Sequence, residues 1–248
     1  MRIGGYSHIN GITFFCDEVK VKAIAKKGIV KHKVDWILPK GWLRKFKGKF
    51  FLDSLLVIYY QWKVLDIKHR LILTVLLSLV ILEEILNSFQ INILPSWPFS
   101  MLWLYGLLAL LLLCFHRKII RLLQYHGAEH KVINCFAQHG YVNRHLARKA
   151  SRFNRRCGSN LALILLLLYS VLWLLEVESI LCYLLIYIIA IQLIKKVILI
   201  NSKWDNYINI LQRITVLEPR DEDLDLAINA FNHLLYARGL YRRALNKY

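Results

Sequence analysis

Four long apolar runs dominate the pattern of hydrophobic and polar positions along the chain. Residues 71–82, 101–115, 157–175 and 179–194 contain no Lys, Arg, Asp or Glu. A transmembrane helix needs about 20 apolar residues to cross a hydrocarbon core of about 30 Å. Each run approaches this length when its flanking residues are added, because long basic side chains at the ends can extend to the interface. The pattern therefore predicts four transmembrane helices.

The segments before the first run carry two other patterns. Residues 1–40 alternate between apolar and polar positions and contain turn-forming glycines, which predicts short strands joined by a turn near Lys27 and Gly28. Residues 41–70 mix aromatic residues with lysines, a pattern typical of an amphipathic helix that lies in the membrane interface. We expect a small N-terminal β element followed by an interfacial helix.

After the last run, an acidic segment opens a stretch with a 3.6-residue apolar period. Pro219 and the acidic residues that follow it are typical of the N-terminal end of a helix. Residues 201–248 are therefore predicted to form a cytoplasmic helical tail. The predicted organisation is a β-rich cytoplasmic segment 1–40, an interfacial amphipathic helix 41–70, a four-helix membrane region 71–200 with a cytoplasmic loop at 116–158, and the tail 201–248.

The composition supports a membrane protein. Hydrophobic residues make up 57% of the 248 residues, whereas about 45–50% is usual for soluble domains. The expected fold class is a mainly α-helical polytopic membrane protein, with a small N-terminal β element and cytoplasmic helical segments.

Positive charge is distributed unevenly along the chain. The net charge is +18, and all 34 Lys and Arg residues fall in the segments 1–70, 116–156 and 195–248. An excess of Lys and Arg marks cytoplasmic loops, so these three segments, which include both termini, are predicted to lie inside. Four spans are consistent with this arrangement, because the chain is then on the inside before the first span, between the second and third, and after the fourth. Anionic lipid headgroups are the expected partner of this basic surface.

Neither a nucleic-acid partner nor disulfide bonds are expected. The charge is not accompanied by a recognisable nucleic-acid reader motif, so we expect no nucleic acid. The five cysteines are scattered and form no CxxC pair, so we expect no disulfides on a reducing cytoplasmic face. The oligomeric state does not follow from these patterns.

The stretch QYHGAEHKVI contains an HxxEH motif formed by His126, Glu129 and His130. Helical periodicity continues through this stretch, so the two histidines should lie one turn apart on one face. Two imidazoles at this spacing are typical of helical zinc sites, and the adjacent carboxylate suits a general base that takes a proton from water. The order of the motif is that of the inverzincins. The alternative is a polar helix end that faces lipid headgroups.

Cys157 is a candidate third metal ligand. It stands at the cytoplasmic start of the third apolar run, at the level where the histidine helix meets the membrane. Thiolates are common zinc ligands, and the alternative is a small buried thiol at a helix start. Lys131 and Arg156 stand beside the motif and the cysteine, where they could bind an oxyanion or phosphate or contact headgroups.

Three segments resemble those of a known bacterial family: QYHGAEHKVIN, SRFNRRCGSN and QRITVLEPRDEDLDLAINAF. They are similar to the YqhQ family, also called domain-of-unknown-function family 1385, which is described as a family of predicted metal-dependent membrane proteins. The N-terminal segment GGYSHINGITFF resembles the opening block of that family, so the resemblance covers nearly the whole chain. The site residues that it implies are His126, Glu129, His130, Lys131, Arg156, Cys157 and Gly158, with Gln212, Thr215 and Pro219 in the tail.

The chain departs from the family pattern at three places. Asn10 stands where the family has Glu, and Asn154 stands where His is usual. His145 and Leu146 replace a typical Glu-Asn pair. If those carboxylate and imidazole positions complete the family's site, this chain would bind metal more weakly or lack catalysis.

Two hypotheses about function follow. In the first, the protein is a zinc-dependent hydrolase of the bacterial cytoplasmic membrane, in which His126, His130 and Cys157 bind Zn²⁺ and Glu129 is the catalytic base. The substrate would be a peptide or a lipid-linked molecule at the cytoplasmic interface. In the second, the same polar cluster is structural, and the protein is a non-catalytic membrane scaffold or assembly factor.

Overall fold

The computed structural model describes residues 3–26, 29–37, 45–46, 48–89, 101–177, 179–198 and 202–245. The described strands are β1 (Ile3–His8), β2 (Gly11–Cys16), β3 (Val19–Lys26) and β4 (Ile29–Trp36). The described α-helices are α1 (Phe50–Val64), α2 (Ile67–Ser88), α3 (Met101–His139), α4 (Arg144–Lys149), α5 (Gly158–Leu174), α6 (Ile180–Val197), α7 (Asp205–Ile208), α8 (Gln212–Thr215) and α9 (Asp221–Leu245). A short 3₁₀ helix, Ser202–Trp204, precedes α7. The chain is thus mainly helical.

The N-terminal strands form a four-stranded antiparallel sheet in the order β1-β2-β3-β4. Side chains alternate between the two faces of a strand, which directs Ile12 and Phe14 of β2 and Val21 of β3 to one buried face. The predicted N-terminal β element is confirmed. The predicted turn at Lys27 and Gly28 lies outside the described residues.

The core lies between the buried face of the sheet, the C-terminal half of α3, and α9. Leu224, Ala227 and Phe231 of α9 are buried at helical spacing. The Phe231 ring packs edge-on against Phe14 with the ring centroids 5.3 Å apart, an arrangement that contributes about 0.5–1.5 kcal/mol beyond burial. The amphipathic helix at the end of the chain is therefore part of the core.

The segment that precedes α9 crosses α3 at Gly127. A Cβ atom on Gly127 would lie 1.9 Å from the carbonyl oxygen of Leu217, so a residue without a side chain is required at this crossing. The backbone N–H of Leu217 donates to the carbonyl oxygen of Leu123 at 3.1 Å. The crossing brings Thr215, two residues before Leu217, next to the HxxEH motif.

Helix α1 lies within the segment that was predicted to form an interfacial helix. It is joined to α6 by an ion pair between Asp53 and Lys195 (2.8 Å) and by a hydrogen bond from Gln192 to Ser54. The chain becomes extended at Leu65 before α2 begins. The predicted helix positions 41–44 and 47 lie outside the described residues.

Helices α2, α3, α5 and α6 coincide with the four predicted apolar runs. Among the described helices, α6 is the one that is both long and apolar enough to cross a membrane, and α5 is apolar but shorter. Large apolar side chains are exposed on these helices, for example Leu113 (71%) and Leu167 (60%). The connection at 90–100 and Glu178 lie outside the described residues, and the four-span topology stays a prediction.

Candidate metal centre

The two histidines of the HxxEH motif lie one turn apart on the C-terminal half of α3, with ring centroids 4.5 Å apart. Nδ1 of His126 donates a hydrogen bond to the carbonyl oxygen of Thr215 (2.9 Å), and Nδ1 of His130 donates to the carbonyl oxygen of Arg152 (2.6 Å). Because carbonyl oxygens only accept hydrogen bonds, Nδ1 carries the proton in both neutral rings. Nε2 of each histidine therefore keeps its lone pair.

Burial favours the neutral form of both imidazoles. It lowers the pKa of His126, and burial together with the neighbouring His126 lowers the pKa of His130 to about 3. Neutral imidazole is the form that binds metal ions. Histidine ligands usually donate their other N–H to a carbonyl or carboxylate, which fixes the ring orientation. Both histidines have the protonation and the orientation of metal ligands.

Cys157 joins the two histidines across the fold. It is buried at the N-cap of α5, where its Sγ accepts a hydrogen bond from the backbone N–H of Ser159 (3.3 Å). Its Sγ lies 3.4 Å from Nε2 of His126. The ligand atoms of His126, His130 and Cys157 all lie within 4.8 Å of one another. The three predicted metal ligands are thus brought together in one cluster.

The donor set of this cluster fits a zinc-like ion. Its donor atoms are two imidazole nitrogens and one cysteine sulfur, and nitrogen and sulfur donors favour Zn²⁺ over Mg²⁺ and Ca²⁺. Within the part of the chain that the structure describes, three residues supply these donors, and three protein ligands would be the number usual in catalytic zinc sites, whereas structural sites have four.

Glu129 lies beside the cluster and is buried. Its Oε2 has no hydrogen-bond partner among the described residues, and burial raises the pKa of the Glu129 carboxyl to about 8. Gly5 of β1 makes room for it, since a Cβ atom on Gly5 would lie 2.7 Å from Cγ of Glu129. A buried carboxyl without a partner destabilises the fold, so its presence at a cluster of metal-binding groups favours a functional role.

A cavity of about 440 Å³ opens at the cluster, and His126, Glu129, His130 and Cys157 all line it. Most of the other lining side chains are apolar and come from β1, α1, α5 and α6. We call this space the metal-centre cavity. It places the candidate ligands and the carboxyl group where a substrate could reach them.

A buried amide network holds the loop that carries Cys157. Nε2 of Gln212 donates to the carbonyl oxygen of Asn154 (2.7 Å) and to the side-chain oxygens of Asn160 and Asn209 (2.9 Å each). Oε1 of Gln212 accepts the backbone N–H of Asn154 at 2.9 Å. Satisfied buried networks of this kind rigidify a site, so the position of the cysteine is fixed by the tertiary structure.

The two cationic residues of the predicted site have different surroundings. The Lys131 ammonium lies 2.7 Å from Oε1 of Glu218 and donates to the carbonyl oxygen of Arg148 at 2.8 Å. Lys131 is absent from the lining of the metal-centre cavity, and its contacts join α3 to α4 and to the segment before α9. Arg156 is exposed and does line the cavity.

The positions that depart from the family pattern differ in whether they line the metal-centre cavity. Asn154 lines the metal-centre cavity, whereas Asn10 lies in the turn between β1 and β2. His145 and Leu146 lie on α4 and do not line the cavity. Of these positions, Asn154 is therefore the one that lines the described site.

Several residues that contribute to the centre are difficult to predict from the sequence. Arg152 acts through its backbone carbonyl, which every residue possesses. Gly5 acts through the absence of a side chain. Asn160 is a polar residue at the start of an apolar helix, and this contrast is a signal that could have indicated a buried polar network.

Comparison with known proteins places the chain among relatives without an assigned activity. The family model described as "Protein of unknown function (DUF1385)" matches residues 64–237, a region that includes the HxxEH motif and Cys157. The "Uncharacterized protein YqhQ" of Bacillus subtilis (strain 168) is 36% identical over 136 residues, which cover 49% of this chain and 43% of that protein. The match thus spans less than half the length of this relative. No solved structure matches the chain. Because the family model matches most of its length, the chain belongs to the DUF1385 family.

Proposed function

We propose that the protein is a zinc-dependent hydrolase that acts at the cytoplasmic surface of a membrane. His126, His130 and Cys157 are the metal ligands, and Glu129 is the general base. The observation that carries the proposal is the meeting of three metal-binding atoms within 4.8 Å at a cavity that a buried carboxyl group without a described partner also lines.

The metal would bind at Nε2 of the two histidines and at Sγ of Cys157. When bound, a zinc ion supplies a Lewis acid that polarises the bond to be cleaved, and its positive charge lowers the pKa of the nearby Glu129 carboxyl. The carbonyl oxygens of Thr215 and Arg152 hold the two imidazole rings in place. This support for the ligands is typical of protein metal sites.

Glu129 would accept the proton of the water that attacks the substrate. The water oxygen forms the new bond to the carbonyl carbon or phosphorus, the bond to the leaving group breaks, and Glu129 delivers the proton to the leaving group. Its burial excludes competing hydrogen-bond partners among the described residues, so the carboxyl group is available for this exchange. Geometry and a pKa close to the working pH are both required of a general base.

Cysteine labelling tests the membrane topology on which the location of this site depends. We expect thiols introduced at Phe89 and Glu176, beyond the ends of α2 and α5, to react with a membrane-impermeant maleimide in intact cells. A thiol at His139, the last residue of α3, should react after lysis because it lies on the basic, cytoplasmic side. Labelling of His139→Cys in intact cells at the level of Phe89→Cys would contradict the four-span arrangement.

Replacement of Cys157 by serine tests the third ligand. If the thiolate binds the metal, purified Cys157→Ser protein should retain a folded structure but bind zinc at least about tenfold more weakly than the wild type, because the hydroxyl is a poorer zinc ligand. A zinc titration against a competing chelator measures this difference. Cys135→Ser is the matched control, since Cys135 is also buried but lies outside the cluster. Equal zinc affinity in the two variants would exclude Cys157 from the site.

A further inference from the structure

A second cavity of about 520 Å³ adjoins the metal-centre cavity. The two cavities share lining residues, among them Asn154 and Arg156. The second cavity differs in character, because polar and charged side chains from the loop before α5 and from the α7–α8 region supply much of its lining. We call it the polar cavity. Arg156, which stands beside Cys157 in the sequence, belongs to both spaces.

Two arginines give the polar cavity an excess of positive charge. The one acidic residue in its described lining, Asp205, is paired with Arg155. In the described part of the chain, neither Arg156 nor Arg213 has a carboxylate within salt-bridge distance, and both are exposed. Arg213 donates only a hydrogen bond to the neutral side chain of Asn206, at 3.3 Å. Both guanidinium groups are therefore available to bind an anionic oxygen group.

The metal-centre cavity has a mainly apolar lining. Val57 of α1, Leu161 of α5 and Ile191 of α6 line it. Helix α6 is long and apolar enough to cross a membrane. An apolar chain could therefore enter this cavity from the side of the helices that the hydropathy pattern assigns to the bilayer.

We infer that the site takes an amphiphile with an anionic headgroup. Its apolar chain occupies the metal-centre cavity, and Arg156 and Arg213 bind its anionic oxygens in the polar cavity. The cluster of His126, His130 and Cys157 lines the metal-centre cavity that the apolar chain would occupy. Arg156, which is in the lining that the two cavities share, connects that cavity to the anionic group. For the reaction this inference rests on the proposed hydrolase function, but the binding step requires no turnover.

Binding of dodecyl phosphate to the full chain in phosphatidylcholine nanodiscs tests the inference, with empty nanodiscs as the blank. Isothermal titration should show that dodecyl phosphate binds at least about tenfold more tightly than inorganic phosphate, because burial of its alkyl chain adds to the affinity. It should also bind at least about tenfold more tightly than dodecanol, which lacks the charge that the arginines recognise.

Two variants locate the anionic group. Arg156→Gln and Arg213→Gln should each weaken dodecyl phosphate binding about tenfold or more, since each removes a charge-assisted hydrogen bond. Arg242→Gln is the matched control: it removes the same charge from an exposed position of α9 that lines neither cavity, and it should bind as the wild type does. All variants should keep the wild-type zinc content and thermal stability.

Each other result counts against the inference. Wild-type affinity in both Arg156→Gln and Arg213→Gln would overturn the anion subsite, as would dodecanol binding as tightly as dodecyl phosphate. Equal affinity for inorganic phosphate and dodecyl phosphate would show that the apolar chain does not contribute to binding, and the ligand would then be a free anion. Failure of the proposed function is a separate observation, because it would show as absent zinc or as full activity without the Glu129 carboxylate while these binding differences persisted.

Discussion

We expect replacement of Glu129 by glutamine to abolish the proposed hydrolytic activity while leaving the binding of the proposed metal unchanged. The substitution keeps the size of the side chain and removes its ability to accept a proton, and loss of a general base lowers a rate by about 10²- to 10⁴-fold. In cells that need the activity, a loss of this size will show as failure of Glu129→Gln to complement a deletion. Metal analysis of the purified variant should give the wild-type zinc content.

Glu218→Gln is the matched control for this experiment. Glu218 is exposed and paired with Lys131 outside the metal-centre cavity, so the same chemical change there should leave complementation intact. Full complementation by Glu129→Gln, together with loss of function in a variant that cannot bind metal, would show that the metal is structural and that the protein is not a hydrolase of this kind.

In metal-free protein, Glu129→Gln should also change how thermal stability depends on pH. Burial raises the pKa of Glu129 from 4.5 to about 8, so the folded state holds this proton more tightly than the unfolded state does. The resulting stabilisation is fully present below pH 4.5 and is lost as the pH rises through about 8. After the metal is removed with a chelator, the wild type should therefore lose thermal stability relative to Glu129→Gln between these pH values. Parallel stability profiles would show that Glu129 is not buried as described.

We expect replacement of His130 by alanine to abolish binding of the proposed metal. The variant loses one of the two imidazole ligands that lie one turn apart on α3, and with it the hydrogen bond to the Arg152 carbonyl oxygen. Removal of a protein ligand from a three-ligand zinc site leaves too few donors to hold the ion tightly. Purified wild-type protein should carry about one zinc ion per chain, and His130→Ala should carry much less after dialysis.

His139→Ala is the matched control, because His139 is an exposed histidine at the end of the same helix and lies outside the cluster. His126→Ala removes the other imidazole and should also lose zinc. Circular dichroism should show that the helical content of all three variants is retained. Wild-type zinc content in folded His130→Ala and His126→Ala would exclude the metal centre.

Local sequence patterns determine several features of this protein. The strand and turn pattern of residues 1–40 produces the N-terminal sheet, in which Ile12 and Phe14 of β2 share one face because successive side chains of a strand point to opposite sides. The spacing of His126 and His130 places both rings on one face of α3, because four residues make about one helical turn. In the same way, the 3.6-residue period of the last segment produces the buried stripe of α9. Each of these patterns acts within a single element, so each can be read from the chain alone.

The completed site depends on contacts between distant parts of the chain. Cys157 lies 31 residues from His126, and the carbonyl oxygen that orients His126 belongs to Thr215, 89 residues away. The segment that carries Thr215 reaches α3 at the crossing at Gly127, where a side chain would collide with the Leu217 carbonyl oxygen. The expected position of Cys157 at the cytoplasmic start of the third apolar run made it a candidate, but the distances that join it to the histidines follow from packing.

Tertiary structure also decided which nearby charged residues belong to the site. Lys131 directly follows His130, but the helix turns its side chain toward Glu218 and the Arg148 carbonyl oxygen. Glu129 faces Gly5 of β1 and the metal-centre cavity. Adjacent positions on a helix differ by about 100° in direction, so neighbours in sequence enter different surroundings. The sequence by itself determined the elements and the residue types of the candidate site, and the packing of the sheet, α3 and the segment before α9 decided which side chains meet.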